Sequence, residues 1–247
     1  MIFIHYFYKK SIFINMKTGF LLINKPVDWT SHDVVGYIRG VVRKSTRQKK
    51  IRVGHAGTLD PFATGLLIVG VGREATKKID EFKNMKKKYT ATITLGATSN
   101  TYDSTGDINK TSKDAIYRVS KKEIQDTLKS FLGKQEQIPP MYSAKKVGGK
   151  KLYDLARKGI EIERKPNEIE IYDIQLLNYY PETHQLQLTT EVSTGTYIRT
   201  IAHDIGQKLG CGAYCEELER TDIGKYDLTK AVGPKDITEE NWETKLI

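Results

Sequence analysis

The stretch Val53–Gly72, V-G-H-A-G-T-L-D-P-F-A-T-G-L-L-I-V-G-V-G, constrains the fold more than any other part of the chain. Glycines crowd its first half, and an apolar run fills its second. Gly54, Gly57 and Gly65 permit positive φ or close backbone approach, so Val53–Thr64 reads as a tight loop. Pro61 fixes the backbone just after Asp60 and biases Asp60 toward an extended conformation. Leu66–Val71 is short, apolar and rich in β-branched residues, the pattern of a buried strand. An acid is thus held on a stiff loop that runs straight into the core, a construction that suits a reactive group. Asp-Pro also starts ordinary turns, so the loop alone leaves a catalytic and a structural Asp60 both open.

Three further stretches bear on that choice. They are L-L-I-N-K-P-V-D-W-T-S-H-D-V-V (Leu21–Val35), P-P-M-Y-S-A-K-K-V-G-G-K-K-L-Y-D-L-A-R-K-G (Pro139–Gly159) and V-S-T-G-T-Y-I-R-T-I-A-H-D-I-G (Val192–Gly206). With G-H-A-G-T-L-D-P-x-A-T-G-L-L, they resemble the TruB-type tRNA pseudouridine synthases. In chain order they are similar to that family's first motif, its active-site loop, the RNA-gripping insertion of its bacterial members and its Tyr-x-Arg motif. The matches cover about residues 19–226.

The resemblance implies an α/β (α+β) pseudouridine synthase fold: a central mixed, largely antiparallel sheet flanked by helices, with an inserted RNA-binding segment. Expected boundaries are an N-terminal extension at 1–16, a catalytic domain at 17–230 with the insertion at about 134–166, and a short C-terminal stub at 231–247. Residues 1–15 are apolar but broken by Lys9 and Lys10, and are too short to span a bilayer. They lack the charged start and cleavage site of a signal peptide. They read as an extension, or as a misassigned start ahead of Met16.

The 247 residues suffice for one large domain or two small ones. Forty Lys+Arg against 30 Asp+Glu leave a net charge of +10, which points to a polyanionic partner. The cations cluster at Arg43–Arg52, Lys77–Lys88 and Lys145–Lys151, in or beside expected loops. Two cysteines, Cys211 and Cys215, make no disulfide framework. With His203 they mimic three metal ligands, but no fourth lies near, so no metal is expected. The chain reads as reduced and cytoplasmic.

Gly19–Asn24 reads as a strand, and Thr30 or Ser31 can cap a helix whose apolar face is Val34, Val35, Ile38, Val41 and Val42. Gly72–Phe82 reads as a short helix. Tyr89–Leu95 alternates without a fault, with Tyr89, Ala91, Ile93 and Leu95 on one face. Thr98–Asp107 reads as a loop. Ser120 and Glu123 form a capping box ahead of a helix with Ile124, Leu128, Phe131 and Leu132 inward, ended by Gly133. Lys151–Lys158 can form one or two helical turns. Asn167–Tyr180 and Gln185–Val192 read as strands. Tyr197–Leu209 reads as a helix with Tyr197 and Arg199 in its first turn, where an anion is favoured. Ala213–Tyr226 reads as one or two strands of ambiguous pattern.

Pseudouridine formation breaks the N1–C1′ bond, rotates the uracil and joins C5 to C1′. It needs no cofactor in principle, and none is expected. An ionised carboxylate can trap or stabilise an oxocarbenium-like sugar, and a nearby guanidinium holds and orients it. The resemblance implies Asp60 as that carboxylate and Arg199 as its partner. It implies Tyr89 stacked on the flipped uracil, Tyr197 beneath it, and His55 filling the gap in the RNA helix. Lys25 and Pro26 match the first motif, and Lys25 is assigned to the substrate side as support for the loop, with no proton role. In the insertion, Tyr142, Lys145, Lys146, Lys151 and Arg157 interleave cations and aromatics as RNA-contacting segments do. The implied substrate is uridine 55 in the T arm of tRNA, and the implied state is a monomer with no membrane attachment.

Two rivals are weaker. Leu66–Ala75 is a strand followed by G-x-G-x-x-A, a dinucleotide-site pattern, but the next strand alternates and ends without an acid. A non-catalytic RNA-binding protein or tRNA-folding chaperone would not need Asp60, Tyr89 and Arg199 together.

Overall fold

The computed structural model describes residues 16–111, 119–143 and 145–247. The expected extension therefore lies outside the described residues up to position 15. Along the chain run β1 (Gly19–Lys25), α1 (Ser31–Thr46), β2 (Val53–His55) and β3 (Thr64–Val71). Two short helices, α2 (Arg73–Lys77) and α3 (Ile79–Lys83), lead into β4 (Lys87–Leu95) and the hairpin of β5 (Ala97–Ser99) and β6 (Ile108–Lys110). Helix α4 (Lys121–Lys129) precedes β7 (Gly133–Gln137). A small hairpin, β8 (Lys146–Val147) and β9 (Lys150–Lys151), carries α5 (Leu152–Ala156). Long strands β10 (Asn167–Tyr180) and β11 (Gln185–Val192) follow, then α6 (Ile198–Lys208), β12 (Ala213–Ile223) and β13 (Tyr226–Asp227).

Among the described residues, nine strands form the central sheet in the order β1-β3-β12-β4-β11-β10-β7, with β2 on β3 and β13 on β12. Every pairing in it is antiparallel except β3 with β12. This is the mixed, largely antiparallel sheet that the sequence implies.

Strand β3 explains its own apolar run. It lies between β1 and β12, with Leu67, Val69 and Val71 against α1 on one face. Leu66 and Ile68 pack with Ile79 and Phe82 on the other. A strand covered on both faces has no position for a polar side chain. Strand β4 has one covered face, and Tyr89, Ala91, Ile93 and Leu95 fill it against α4 and α6. Lys87 shares that buried face, which alternation alone extends to it but charge argues against.

Three local expectations change. The loop expected from Val53 starts later, because Val53–His55 pairs with Val71–Val69 and satisfies its backbone in the sheet. Leu132 does not face inward: α4 stops at Lys129, and Leu132 stands 48% exposed in the turn before β7. The segment outside the sheet begins at 138, later than the expected 134, because Gly133–Gln137 pairs with Asn167–Ile171 at the sheet edge. The capping choice at α1 falls to Thr30, whose Oγ1 accepts from Asp33 N while Asp33 Oδ2 accepts from Thr30 N. Ser31 is left for another contact, described below.

The last residues join the first strand. Ile247 N donates to Phe20 O at 2.8 Å, and Ile237 and Trp242 are buried beside α1. The Trp242 indole N–H finds Ser45 Oγ at 3.1 Å, as a buried indole requires. No helix among the described residues is long and apolar enough to cross a membrane.

Candidate active site

Asp60 lies on the loop between β2 and β3, and sheet register sets what surrounds it. Arg220 of β12 pairs with Gly65 on one side and with Tyr89 of β4 on the other. The row Gly65–Arg220–Tyr89 therefore runs beneath the loop. Gly65 has φ +104°, and a Cβ there would stand 2.4 Å from the Arg220 carbonyl oxygen. Only glycine permits that approach.

Three buried polar side chains hold the loop. Lys25 Nζ donates to Pro26 O, Trp29 O and Pro61 O at 2.8, 2.7 and 3.3 Å. Ser31 Oγ donates to Leu59 O at 3.2 Å and accepts from Leu59 N at 2.9 Å. Arg220 donates from Nε to Leu66 O at 2.8 Å and from Nη2 to Gly57 O at 3.2 Å. Asp60 is bracketed on both sides. Burial lowers the Lys25 ammonium to about 8 against the opposing pull of the Asp60 charge. The same cause lowers Lys87 to about 8, with Arg220 adding to it.

Arg199, the second residue of α6, reaches the loop from the opposite wall. Its Nε donates to Asp60 Oδ2 at 2.8 Å, Nη1 to Thr101 O at 2.8 Å and Nη2 to Tyr142 O at 2.8 Å. Nη1 also lies 3.3 Å from Asp103 Oδ2. The Arg199 side chain is 3% exposed, so these contacts are made away from water and hold the guanidinium in one place. Asp103 is itself fixed, with Oδ1 accepting from Thr101 Oγ1, Thr105 N and Thr105 Oγ1. Asp60 differs in keeping 35% of its side chain exposed, so one carboxylate is a strut and the other faces solvent.

The solvent that Asp60 faces is a cleft of about 800 Å³. Tyr89, Tyr197, His55, His32, Ser143, Lys87 and Arg220 line it with Asp60 and Arg199. Tyr197 is the N-cap residue of α6, and Gln137 secures it by accepting from Tyr197 N at 2.8 Å and donating to Tyr197 O at 3.0 Å. Burial raises the Tyr197 phenol above its ordinary range. Burial, then the positive charges of His32 and Arg220, depress the His55 imidazole to about 4, so the ring is neutral near pH 7. The cleft thus offers the Asp60 carboxylate against a fixed guanidinium, two phenols and a neutral imidazole, with Lys87 and Arg220 among its further walls and the Asp80 carboxylate paired with Lys83 at 2.7 Å.

A family profile described as TruB family pseudouridylate synthase (N terminal domain) matches residues 43–198. The chain belongs to the TruB family. A second profile, tRNA pseudouridylate synthase B C-terminal domain, matches residues 199–246. The tRNA pseudouridine synthase B of Parabacteroides distasonis is 44% identical over 220 residues, covering 88% of this chain and 90% of that protein. That of Syntrophomonas wolfei subsp. wolfei is 45% identical over 216 residues, covering 87% and 69%. Among solved structures, one titled as a Cbf5-Nop10-Gar1 complex aligns with a TM-score of 0.63 at 27% identity, over 88% of this chain and 53% of that one. A second, titled as an H/ACA RNP bound to a substrate RNA containing 2′-deoxyuridine, aligns at TM-score 0.63 and 26% identity, over 92% and 55%. The chain spans about half the length of those two structural neighbours. As a TruB-family pseudouridine synthase the protein is an isomerase.

In this TruB-family chain, the structure brings Asp60, Tyr89, Arg199, His55 and Tyr197 to one cleft. It does not bring Lys25 there: the side chain is fully buried under the loop, and carbonyls take its donors. Its assignment to the substrate side is corrected to loop support. Tyr142 offers Arg199 its carbonyl. Lys145 is half-buried, with Nζ on Asn167 Oδ1, so it braces the insertion against β10. Arg157 is exposed, with its guanidinium 5.5 Å from the Tyr153 ring centre. The side chains of Lys146 and Lys151 lie outside the described residues. Cys211 and Cys215 are both free and buried, and burial raises both thiols.

Asp103, Arg220 and His32 are absent from the residues singled out by sequence, and Ser31 is read there only as a capping candidate. Arg220 had a signal: it falls in phase with Leu218 at an inward position of β12, where an apolar residue is the norm. Asp103 had none, since it sits among equally polar loop neighbours.

Proposed function

We propose that this chain converts uridine to pseudouridine in tRNA, at position 55 in the T arm, with Asp60 as the essential carboxylate. The observation that carries the reading is the Asp60–Arg199 pair, 2.8 Å apart, with Asp60 facing a cleft walled by Tyr89, Tyr197 and His55. The relatives' printed names support tRNA as the substrate, and the +10 charge suits a polyanion.

The flipped uridine enters the cleft base first. Tyr89 stacks on the uracil, Tyr197 packs beneath it, and His55 takes its place in the RNA helix. Asp60 either bonds to C1′ or removes the 2′ proton, and by either route the N1–C1′ bond breaks. The uracil turns within the cleft, C5 bonds to C1′, and the C5 proton leaves while N1 regains one. Product and substrate are isomers, so atoms and charge balance without a co-reactant. Arg199 keeps the carboxylate oriented throughout. Exposed cations of the insertion meet phosphates of the stem, and the protein acts as a cytoplasmic monomer.

The test maps pseudouridine on an unmodified tRNA transcript by carbodiimide adduct and primer extension, with wild type beside Asp60→Ala. A stop at the T-arm uridine with wild type alone is expected, with tRNA binding retained by the variant. The loss should exceed about a thousandfold, as for an essential covalent or acid–base group. Normal turnover by Asp60→Ala would overturn the assignment. Binding without a stop by either protein would favour a chaperone that uses the same fold.

A further inference from the structure

His32 is the second residue of α1, and the chain on either side ties its position to that of Asp60. Its neighbour Ser31 is joined by two hydrogen bonds to Leu59, the neighbour of Asp60. The His32 ring lies edge to face with His55, centroids 5.5 Å apart and planes at 79°. Both rings line the cleft that holds Asp60, and His32 is the exposed member of the pair. Asp33, the carboxylate next in sequence, is spent on the capping box.

We propose that His32 and His55 form a two-ring wedge, in which His32 contacts the RNA and fixes the plane of His55 when the target uridine leaves the helix. The inference rests on the function proposed above and adds a positioning residue to it. An edge-to-face contact restricts the tilt of both rings. His55, half-buried and neutral, enters the stack as a flat uncharged ring. His32, outside it, presents ring nitrogens that can hydrogen-bond a phosphate or a base edge of the neighbouring nucleotide. Because α1 and the active-site loop are one hydrogen-bonded unit, the wedge and the carboxylate keep a constant separation. A base displaced by the rings is thereby delivered to Asp60.

The test uses the full chain and a tRNA transcript carrying 2-aminopurine beside the target uridine, followed by stopped-flow fluorescence and steady-state assay. The variants are His32→Ala and His32→Phe, which removes and restores the ring. With His32→Ala the fluorescence rise should slow and KM should increase about two- to tenfold, the size of one edge-to-face contact. His32→Phe should recover the flipping rate, and thermal melting should be unchanged in both, since the side chain is exposed. Flipping and KM equal to wild type in His32→Ala would overturn the proposal, as would a slowed flip that His32→Phe does not recover; KM should stay raised in His32→Phe, which lacks the ring nitrogens. If wild type itself neither flips nor isomerises the uridine, the proposed function falls instead, which separates the two failures.

Discussion

Two basic regions of this molecule use their cations in opposite ways. Around the active-site loop, Lys25 and Arg220 are buried to within 1%, and each is held by backbone carbonyls. In the insertion, Lys150, Arg157 and Lys158 stand exposed on a hairpin and in the turn that follows a short helix. Gly148 and Gly149, at φ +56° and +79°, make the tight hairpin turn, with open space around both. Leu152 is the insertion's one buried apolar side chain among those described from 141 to 166. The first set of cations is architectural, fixing a carboxylate by spending charge on carbonyl groups. The second keeps its charge free for a partner. Counting Lys and Arg along a sequence merges the two, and only burial separates them.

The first way to break this contrast is at the link between loop and insertion. Arg199 bonds both Asp60 and the Tyr142 carbonyl, so Arg199→Lys keeps the charge but loses the fork. A fall in kcat of about a hundredfold is expected, the usual consequence of a misplacement near 1 Å. Turnover within a factor of two of wild type would show that charge alone suffices.

Next comes Arg220→Met, which fills similar volume and strands the Leu66 and Gly57 carbonyls. Urea unfolding should show a loss of about 1–3 kcal/mol, the cost of buried acceptors left unpaired. A variant as stable as wild type would mean that the loop needs no clamp. The insertion should respond differently. Replacing Lys150, Arg157 and Lys158 together by Gln should leave kcat and stability intact. It should raise KM and lower the slope of log affinity against log salt by about 0.7–0.9 for each phosphate no longer neutralised. An unchanged slope would assign these residues to ordinary solvated surface.

The smallest effect lies apart from both regions, in α6. Burial raises the Asp204 carboxyl from 3.8 to about 6, so its folded form holds a proton that the unfolded chain has lost between those values. Stability from this group therefore falls as pH rises from about 4 through 6, and the penalty is complete above that. Asp204→Asn should raise the melting temperature at pH 7 and have no effect near pH 3. A shift equal at both pH values would contradict this linkage.

Much of the frame was legible because it depends on periodicity. Strands β10 and β11 fall on the residues that alternation marks, and α4 begins at the Ser120–Glu123 box. The active-site loop was legible from glycine, proline and one acid. The boundary at β7 was not, since G-K-Q-E-Q carries no apolar pattern; an edge strand has little to bury and is defined by backbone pairing. The role of Lys25 was only half legible, because a lysine in a motif looks the same whether its ammonium meets carbonyls or phosphate.

By itself the sequence determined which segments are helix and strand, that one acid sits on a stiff loop at the head of a buried strand, and that the chain suits a polyanion. Those properties are local: they follow from side-chain spacing, backbone restriction and net charge. The tertiary structure decided that Arg199 would find Asp60 across 139 positions of chain, that Asp103 would stand behind it, and that Arg220 would lie between Gly65 and Tyr89. Each of these depends on strand order and register, including the parallel seam between β3 and β12, and no local pattern encodes a pairing between strands so far apart.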